Sequence, residues 1–454
     1  MKLLFCGTDY TSLVLGVCFA VVGHSVTYTD IDINAILLES GQVTVFEADL
    51  IRLIRRYMEE GRLAYRPEDP LVYEDTGAVF LGEEYQLLQD GTYDLSGINA
   101  ILRKIAAGAV RNMVIAVNST LPVGASERLE LYLKEFQPEG TQLELAYNPQ
   151  FCSKGSAVHD TLHAKRIIIG TQDKQARELL SEIYEPFQIP ILVTSRKSAE
   201  MIKLATSNFL ALKLAYINEI ASLCDLTGID LDEVTRGLAG DDRIGGSYLS
   251  AGIGFGGSGL PKDMKSMLQL AKKYDYTPKT VLTAIELNKE QTLSLYHMVR
   301  RMRFRVRDSR VAVLGLTYKA GTEDCTASPA IENIRLLLQE GADIYAYDPV
   351  GISNFKKIIP EGSLTEGNIT YTDNIFDTLC DAELCFIFTG WGKFKAVNPE
   401  MYRKLMKNPI VLDGTNLYSP ISMRDAGVEY YSIGRNTFMK QSQEITGDRT
   451  YLSI

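Results

Sequence analysis

The sequence predicts an α/β protein: two doubly wound, Rossmann-like domains joined by a central helical region with one long helix. Three observations predict it. Short apolar runs alternate with helical stretches over residues 1–195, the pattern of a parallel sheet covered on both faces. The stretch Ala199 to Cys224 holds neither glycine nor proline and repeats apolar residues at helical spacing. The strand–turn–helix–strand order of residues 2–30 then returns between Asp308 and Asp348.

The elements follow in order. Residues 2–6, Lys-Leu-Leu-Phe-Cys, read as a short buried strand. Gly7 opens a turn, Ser12 to Val22 read as a helix, and Gly23 ends it. Ser25 to Thr29 form a second strand ending at Asp30, where a dinucleotide fold sets an acid for a ribose hydroxyl. Further strands fit at 77–81, 113–117 and 143–147, giving a first domain over 1–195. Ser198 is placed to cap the long helix and Gly228 to stop it. At about 26 residues that helix spans about 39 Å and suits a connector or a dimer core. It opens a central helical domain over 196–300. In the third domain, 301–440, Arg310 to Leu314 read as a strand, Gly315 as a turn, Pro329 to Glu340 as a helix and Asp343 to Tyr347 as a strand. The last residues, 441–454, read as a tail, and the chain is polar from Asn436 onward.

Composition excludes several function classes. The 454 residues carry a net charge of −10, which disfavours nucleic acid as a partner but leaves room for a local basic pocket. No run of 18 apolar residues is present, so no membrane span is expected. Lys2 and the apolar residues after it imitate a signal peptide, but Asp9 interrupts them and no clean cleavage site follows. The 7 cysteines are scattered without a CxxC pair, as in a reduced, cytoplasmic protein. His159 and His163 sit four apart, a metal-binding spacing on a helix, but no third ligand accompanies them and no metal is expected.

Several segments carry more specific information. The richest runs Asp242-Arg243-Ile244-Gly245, Tyr248-Leu249-Ser250, Gly252-Ile253-Gly254-Phe255-Gly256-Gly257-Ser258 and Pro261-Lys262-Asp263. Others are Asn118 to Gly124, Asn148-Pro149, Gly155-Ser156-Ala157, Ser198-Ala199-Glu200 with Lys203, and Asp413-Gly414-Thr415-Asn416. Together, over about residues 1–435, they resemble the UDP-glucose/GDP-mannose 6-dehydrogenase family. The resemblance implies oxidation of a sugar C6 alcohol to a carboxylate with two NAD molecules. It also implies an N-terminal NAD domain, a helical dimerisation domain and a C-terminal nucleotide-sugar domain.

Carried over residue by residue, the resemblance assigns Gly7, Tyr10, Asp30 and Thr120 to the cofactor. It assigns Lys203 to oxyanion stabilisation, Asp263 to positioning water or a proton, and Thr120 to the region of nicotinamide and sugar. Lys203, Arg243, Tyr248, Leu249, Ser250, Gly254, Phe255, Gly257 and Lys319 fall on substrate-binding positions, Arg243 reaching the ligand across a dimer. Lys262 and Arg435 are weaker contacts.

The departures bear on chemistry. The nucleophilic cysteine position is Gly259, which has no side chain to form a thioester. The base position is Gln150, which takes no proton near neutral pH, and the supporting glutamate position is Lys154. The asparagine position four after the lysine is Ser207, with Asn208 beside it. In the cofactor turn, Asp9 and Ser12 replace the second and third glycines; a carboxylate there repels a diphosphate and can itself cap the helix. Gly82-Glu83-Glu84-Tyr85 stands in place of a Gly-Thr-Pro element, and Thr326 in place of an arginine. Three departures around one ligand weigh against productive NAD binding.

The reading is therefore a family protein that binds a nucleotide sugar, with UDP as the default base, and lacks full oxidation to the carboxylate. As a homodimer or a partner of an active paralogue, it would act without that chemistry. Three alternatives stay open: an NAD enzyme stopping at the aldehyde or epimerising, a divergent UDP-glucose 6-dehydrogenase, and a structural protein without ligand. Cys152, beside Lys154, is a candidate relocated nucleophile; a small apolar filler is the plainer reading.

Overall fold

The computed structural model describes residues 1–7, 9–29, 45–47, 49–67, 69–74, 76–83, 86–88 and 93–435. The chain divides into two compact units, Met1–Ser207 with Lys265–Thr277, and Asn208–Met264 with Pro278–Ile454.

In the first unit the strands are β1 (Lys2–Cys6), β2 (Ser25–Thr29), β3 (Leu63–Tyr65), β4 (Ala78–Leu81), β5 (Gln86–Leu87), β6 (Tyr93–Asp94), β7 (Met113–Val117), β8 (Leu143–Tyr147), β9 (Ile167–Gly170) and β10 (Ile191–Thr194). Eight of them form one sheet in the order β10-β9-β8-β7-β4-β1-β2-β3, while β5 and β6 make a separate antiparallel pair. All neighbours in the large sheet are parallel except β8 and β9, which are antiparallel. From β3 to β8 this is the doubly wound order, with a switch point between β1 and β4. The central strands are buried on both faces, which is why β4 and β7 read as unbroken apolar runs. Helix α1 (Tyr10–Val21) is buried at every position from Ser12 to Ala20. Phe5, Phe19, Tyr28 and Phe80 fill the core beneath it, with the Phe5 and Phe80 rings stacked at 4.9 Å.

Helix α2 (Arg196–Thr227) is 32 residues long, about 48 Å, against the 26 expected. Ser198 does not cap it. Ser195 does: its hydroxyl accepts the Ser198 amide at 3.2 Å, and its carbonyl accepts the Ala199 amide at 2.9 Å. The partly buried ion pair of Arg196 with Glu130, and the Arg196 bond to the Leu145 carbonyl at 2.9 Å, hold the added first turn. Gly228, at φ +72°, stops the helix as expected.

The second unit carries α3 (Leu231–Ala239), the start of α4 (Gly259–Lys273), and α5 (Lys279–Thr292). Its strands are β11 (Arg310–Leu314), β12 (Asp343–Tyr347), β13 (Gly362–Leu364), β14 (Gly367–Tyr371), β15 (Leu384–Ile387), β16 (Ile410–Asp413) and β17 (Glu429–Ser432), with α6 (Pro329–Gln339) between β11 and β12. They form one sheet in the order β13-β14-β12-β11-β15-β16-β17, parallel apart from the β13–β14 hairpin. From β14 to β17 the doubly wound order appears a second time. Among the described residues no helix is long and apolar enough to cross a membrane, and no group of three His, Cys, Asp or Glu is placed to hold a metal.

Candidate functional site

The crevice of the first unit is built by backbone. Gly7 lies at φ +99°, and a Cβ there would stand 2.2 Å from the Gly82 carbonyl oxygen, so the β1 and β4 turns touch directly. Asp9 caps α1 with its own carboxylate, which accepts the Ser12 amide at 2.8 Å. A Cβ on Gly82 would meet the Ser12 hydroxyl at 1.8 Å and the Asp9 carboxylate at 2.7 Å, so Gly82 accommodates these two side chains. A dinucleotide diphosphate would need this helix terminus and its amides. The residues present do not fit it. The terminus already holds an anion, and like charges at 4 Å repel by about 1–4 kcal/mol over water-like to protein-like dielectrics. Tyr10 bonds through its hydroxyl to the buried Glu47, and the Gly155 amide donates to Glu47 at 2.6 Å and to the Tyr10 hydroxyl at 3.1 Å. Burial, then the hydrogen bond to Glu47, pushes the Tyr10 phenol far up, so it stays protonated as a donor. Asp30, Glu84 and Tyr85 lie outside the described residues.

A second cluster of this unit sits at the ends of β7 and β8. Asn118 donates to the Asn148 carbonyl at 3.0 Å and side-chain oxygen at 2.9 Å. Tyr184 donates to the same side-chain oxygen at 2.5 Å, and Asn148 donates to the Ile168 carbonyl at 2.8 Å. Gln150 turns its amide nitrogen to both Asn148 oxygens at 3.1 Å. A carboxylate has no hydrogen for either contact, so this network suits Gln150 as it stands. Lys203 reaches back from α2 to donate to the Gln150 carbonyl at 2.8 Å, with its ammonium 5.5 Å from the Phe151 ring centre. Thr120 is half-buried one residue beyond Ser119, whose hydroxyl accepts the Glu83 amide at 2.8 Å. Glu200 is structural: its carboxylate accepts the Gly124 amide at 2.6 Å and the Ser126 amide at 2.7 Å, capping helix Ala125–Phe136. Burial pushes the Glu200 acid up against the lowering effect of those bonds.

At Cys152 the neighbouring cation differs from the one expected. Burial pushes its thiol up, and the cation that opposes this is Lys203 rather than Lys154. It packs against the apolar core, in keeping with the filler reading. His159 and His163 stack their rings at 4.4 Å.

In the second unit the glycine-rich segment is held from several sides. Asp241 chelates Arg243, taking its amide at 2.9 Å and its guanidinium at 2.6 Å, while the Arg243 side chain stays 89% exposed and points outward. Lys213 of α2 donates to three successive-turn carbonyls, Ile244 at 3.1 Å, Gly245 at 3.2 Å and Ser247 at 2.6 Å. That grip ends one residue before Tyr248, which adopts φ +62°. Asn218 accepts the Gly252 amide at 2.9 Å and Gln291 donates to the Gly252 carbonyl at 2.6 Å. Asn288 of α5 takes both backbone groups of Phe255, at 2.7 and 3.0 Å. Gly257 donates to the Thr326 carbonyl at 2.8 Å, and a Cβ on it would stand 2.8 Å from the Tyr318 ring. The segment is therefore pressed onto the β11–α6 loop, where Lys319 lies 5.8 Å from the Tyr318 ring.

Gly259 begins α4, and a Cβ built there meets nothing within 4 Å. Asp263 is buried one turn on, and its carbonyl accepts the Asn208 amide at 3.4 Å. Leu249 and Ser250 line a cleft of about 380 Å³ with Thr235, Arg236, Asn416 and Arg435. Arg435 is 10% exposed and paired with Asp232 at 3.2 Å.

The first unit thus gathers Gly7 with Tyr10, and Gln150 with Lys203. The second gathers Arg243, Tyr248, Gly254, Phe255, Gly257 and Lys319 around one segment, and Asp263 with Asn208. Sequence reasoning missed Lys213, Asn288 and Gln291. Their only signal is a polar residue at one helical position, which any solvated face also shows.

Comparison with known proteins matches this arrangement along nearly the whole chain. Residues 1–188 match the NAD binding domain of the UDP-glucose/GDP-mannose dehydrogenase family, 197–290 its central domain and 312–420 its UDP binding domain. The chain is 33% identical over 435 residues to the UDP-glucose 6-dehydrogenase TuaD of Bacillus subtilis, covering 96% of this chain and 93% of that protein. It is 34% identical over 436 residues to the UDP-glucose 6-dehydrogenase YwqF of the same organism, covering 96% and 98%. Among solved structures, a UDP-glucose dehydrogenase from Pyrobaculum islandicum superposes with a TM-score of 0.85 at 28% identity, covering 96% of this chain and 97% of that one. With two doubly wound sheets in sequence and all three domains matched, the chain belongs to the UDP-glucose/GDP-mannose dehydrogenase family.

Proposed function

We propose that this chain binds a nucleotide sugar, a UDP-sugar in the first instance, and does not carry a sugar alcohol through to a carboxylate. The observation that carries the reading is Gly259: the residue opening α4 has no side chain to hold an acyl group. Gln150 supports it, since an amide bonded to Asn148 cannot serve as a base. Asp9 extends it to the cofactor, because its carboxylate occupies the α1 terminus that a diphosphate would use.

In this reading the roles are binding and orientation. Lys319, and Arg243 reaching across a homodimer, supply positive charge to the phosphates and sugar, the segment from Tyr248 to Gly257 offers backbone at close approach, and Lys203 keeps the family's oxyanion position. Thr120 and Asp263 keep family positions without a redox step to serve. The N-terminal, central and C-terminal domains follow the 1–195, 196–300 and 301–440 division. A homodimer is supported by Phe209, Tyr216 and Leu223, seven residues apart on α2 and exposed by 62, 51 and 53%.

Titration calorimetry of the full chain with UDP-glucose, GDP-mannose and NAD tests the reading. The expected result is saturable heat with a UDP-sugar and none with NAD. Formation of NADH from UDP-glucose and NAD would overturn it.

A further inference from the structure

The cleft of about 380 Å³ in the second unit is walled by one face of α3. Asp232, Thr235, Arg236 and Ala239 fall at positions i, i+3, i+4 and i+7 of that helix. The rest of the lining is Leu249 to Ala251, the turn after β16, and Arg435. Backbone bonds tie these parts together. The Leu231 amide donates to the Gly434 carbonyl at 3.1 Å, and the Ile253 amide to the Gly414 carbonyl at 2.7 Å. Asn416 exchanges two bonds with the Ile433 backbone, at 2.8 and 2.9 Å. The cleft is therefore formed before a ligand enters, and little ordering remains to oppose binding.

Its charge is not balanced. Two guanidiniums and one carboxylate line it. Arg435 donates to Asp232 at 3.2 Å and to the Tyr418 carbonyl at 3.3 Å, and its Nε is buried without a partner. Asp232 is thereby engaged, while Arg236, one turn further along α3, makes no ion pair among the described residues. The cleft thus carries a local excess of positive charge on a chain of net charge −10. The hydroxyls beside it have given up their hydrogens. Thr235 donates to the Asp232 carbonyl at 3.2 Å and Thr415 to the Asp413 carboxylate at 2.8 Å, so their oxygens are left as acceptors. A ligand that answers both features carries an anion for the arginines and hydroxyl hydrogens for the threonines.

We propose that this cleft binds a small phosphorylated polyol, a sugar phosphate in the first instance, with its phosphate against Arg236 and Arg435 and its hydroxyls on Thr235 and Thr415. The site is separate from that of the nucleotide sugar. Lys319, Gly254, Phe255 and Gly257 do not line it, and of the substrate positions assigned by resemblance only Leu249, Ser250 and the weaker Arg435 reach it.

The full chain is titrated calorimetrically with ribose-5-phosphate, ribose and inorganic phosphate, each with and without saturating UDP-glucose. Ribose-5-phosphate is expected to bind at least about tenfold tighter than either of its parts, and UDP-glucose to leave that affinity within about threefold. Arg236→Gln should weaken ribose-5-phosphate about tenfold, the size of one charge-assisted hydrogen bond, and Arg236→Lys should keep most of the affinity. Arg236 is exposed and unpaired among the described residues, so neither variant disturbs folding. Asp232→Asn removes the competing carboxylate and should tighten binding, a gain that a merely structural role does not produce. No saturable heat with ribose-5-phosphate overturns the inference, and so does an Arg236→Gln protein that binds it as the wild type does. Inorganic phosphate binding as tightly as ribose-5-phosphate shows an adventitious anion site only. Displacement of ribose-5-phosphate by UDP-glucose shows that the cleft belongs to the nucleotide-sugar site, which overturns a separate one. Absence of any heat with UDP-glucose alone sinks the nucleotide-sugar reading and leaves this site standing.

Discussion

The two sheets share one strand order and differ at the switch point. In the first unit the chain passes from β1 to α1 through Gly7 and two more residues, and a carboxylate on that turn closes the helix end. In the second, β11 is followed by a long loop, residues 315–328, before α6 begins. A carboxylate is present there too, but it works differently. Asp348, buried after β12, accepts the amides of Leu316, Thr317, Val350 and Gly351 at 2.7–3.3 Å and the Trp391 indole at 3.0 Å. It ties the loop down from below and leaves Tyr318 and Lys319 to face the glycine segment. The strand order makes a crevice in both units, and the placement of one acid decides whether that crevice offers a helix terminus or fills it.

This contrast can be broken by substitution. The largest effect is expected for Asp348→Ala. It strands several buried donors, a loss of about 3–5 kcal/mol that denaturant unfolding would register. Asp9→Ala removes one cap at the helix end and should cost about 1 kcal/mol. If the two cost the same, the distinction between an acid that builds a loop and an acid that fills a terminus is wrong.

Next in size is a gain of ligand. Asp9→Gly removes the charge and the side chain together, at a small cost in capping. It should raise NAD affinity about ten- to hundredfold, or about 1.4–2.7 kcal/mol, relative to the wild type. Asp9→Asn separates the two causes: a gain confined to glycine points to space, and a gain in both points to charge. Equal calorimetric traces for all three would show that Asp9 does not block the turn.

The smallest effect on stability is expected at Gly259. Because a Cβ there meets nothing within 4 Å, Gly259→Cys should leave the unfolding free energy within about 0.5 kcal/mol of wild type. The new thiol sits at a helix N-terminus, which lowers a thiol's pKa. It should therefore react with iodoacetamide faster than the exposed Cys380 at pH 7. A slower reaction would mean that the site is less open than its geometry indicates.

Much of this architecture is legible in the chain itself. Strands β1, β2, β7, β8, β11 and β12 read to the residue, because a parallel strand buried on both faces is a short apolar run between turn residues. The Asp9 cap was equally open to reading, since an acid three residues before an amide needs no distant partner. Strands β9, β10, β15, β16 and β17 are absent from the sequence reading, as similar apolar runs also occur inside helices. The α2 cap was misplaced by three residues, because Ser195 and Ser198 are equivalent in type and only the partners of Arg196 choose between them.

The sequence by itself determined what is missing: a side chain at Gly259, a titratable acid at Gln150, a second glycine at Asp9. Those are statements of chemistry at single positions, and no fold can restore an absent atom. The tertiary structure decided what the remaining polar residues do. That Lys213 grips three carbonyls, that Glu200 caps a distant helix, and that Lys203 and Arg166 both approach the Phe151 ring all depend on residues far apart in the chain. Hydrogen bonds and charge pairs act over a few ångströms, and only folding brings such residues within that range.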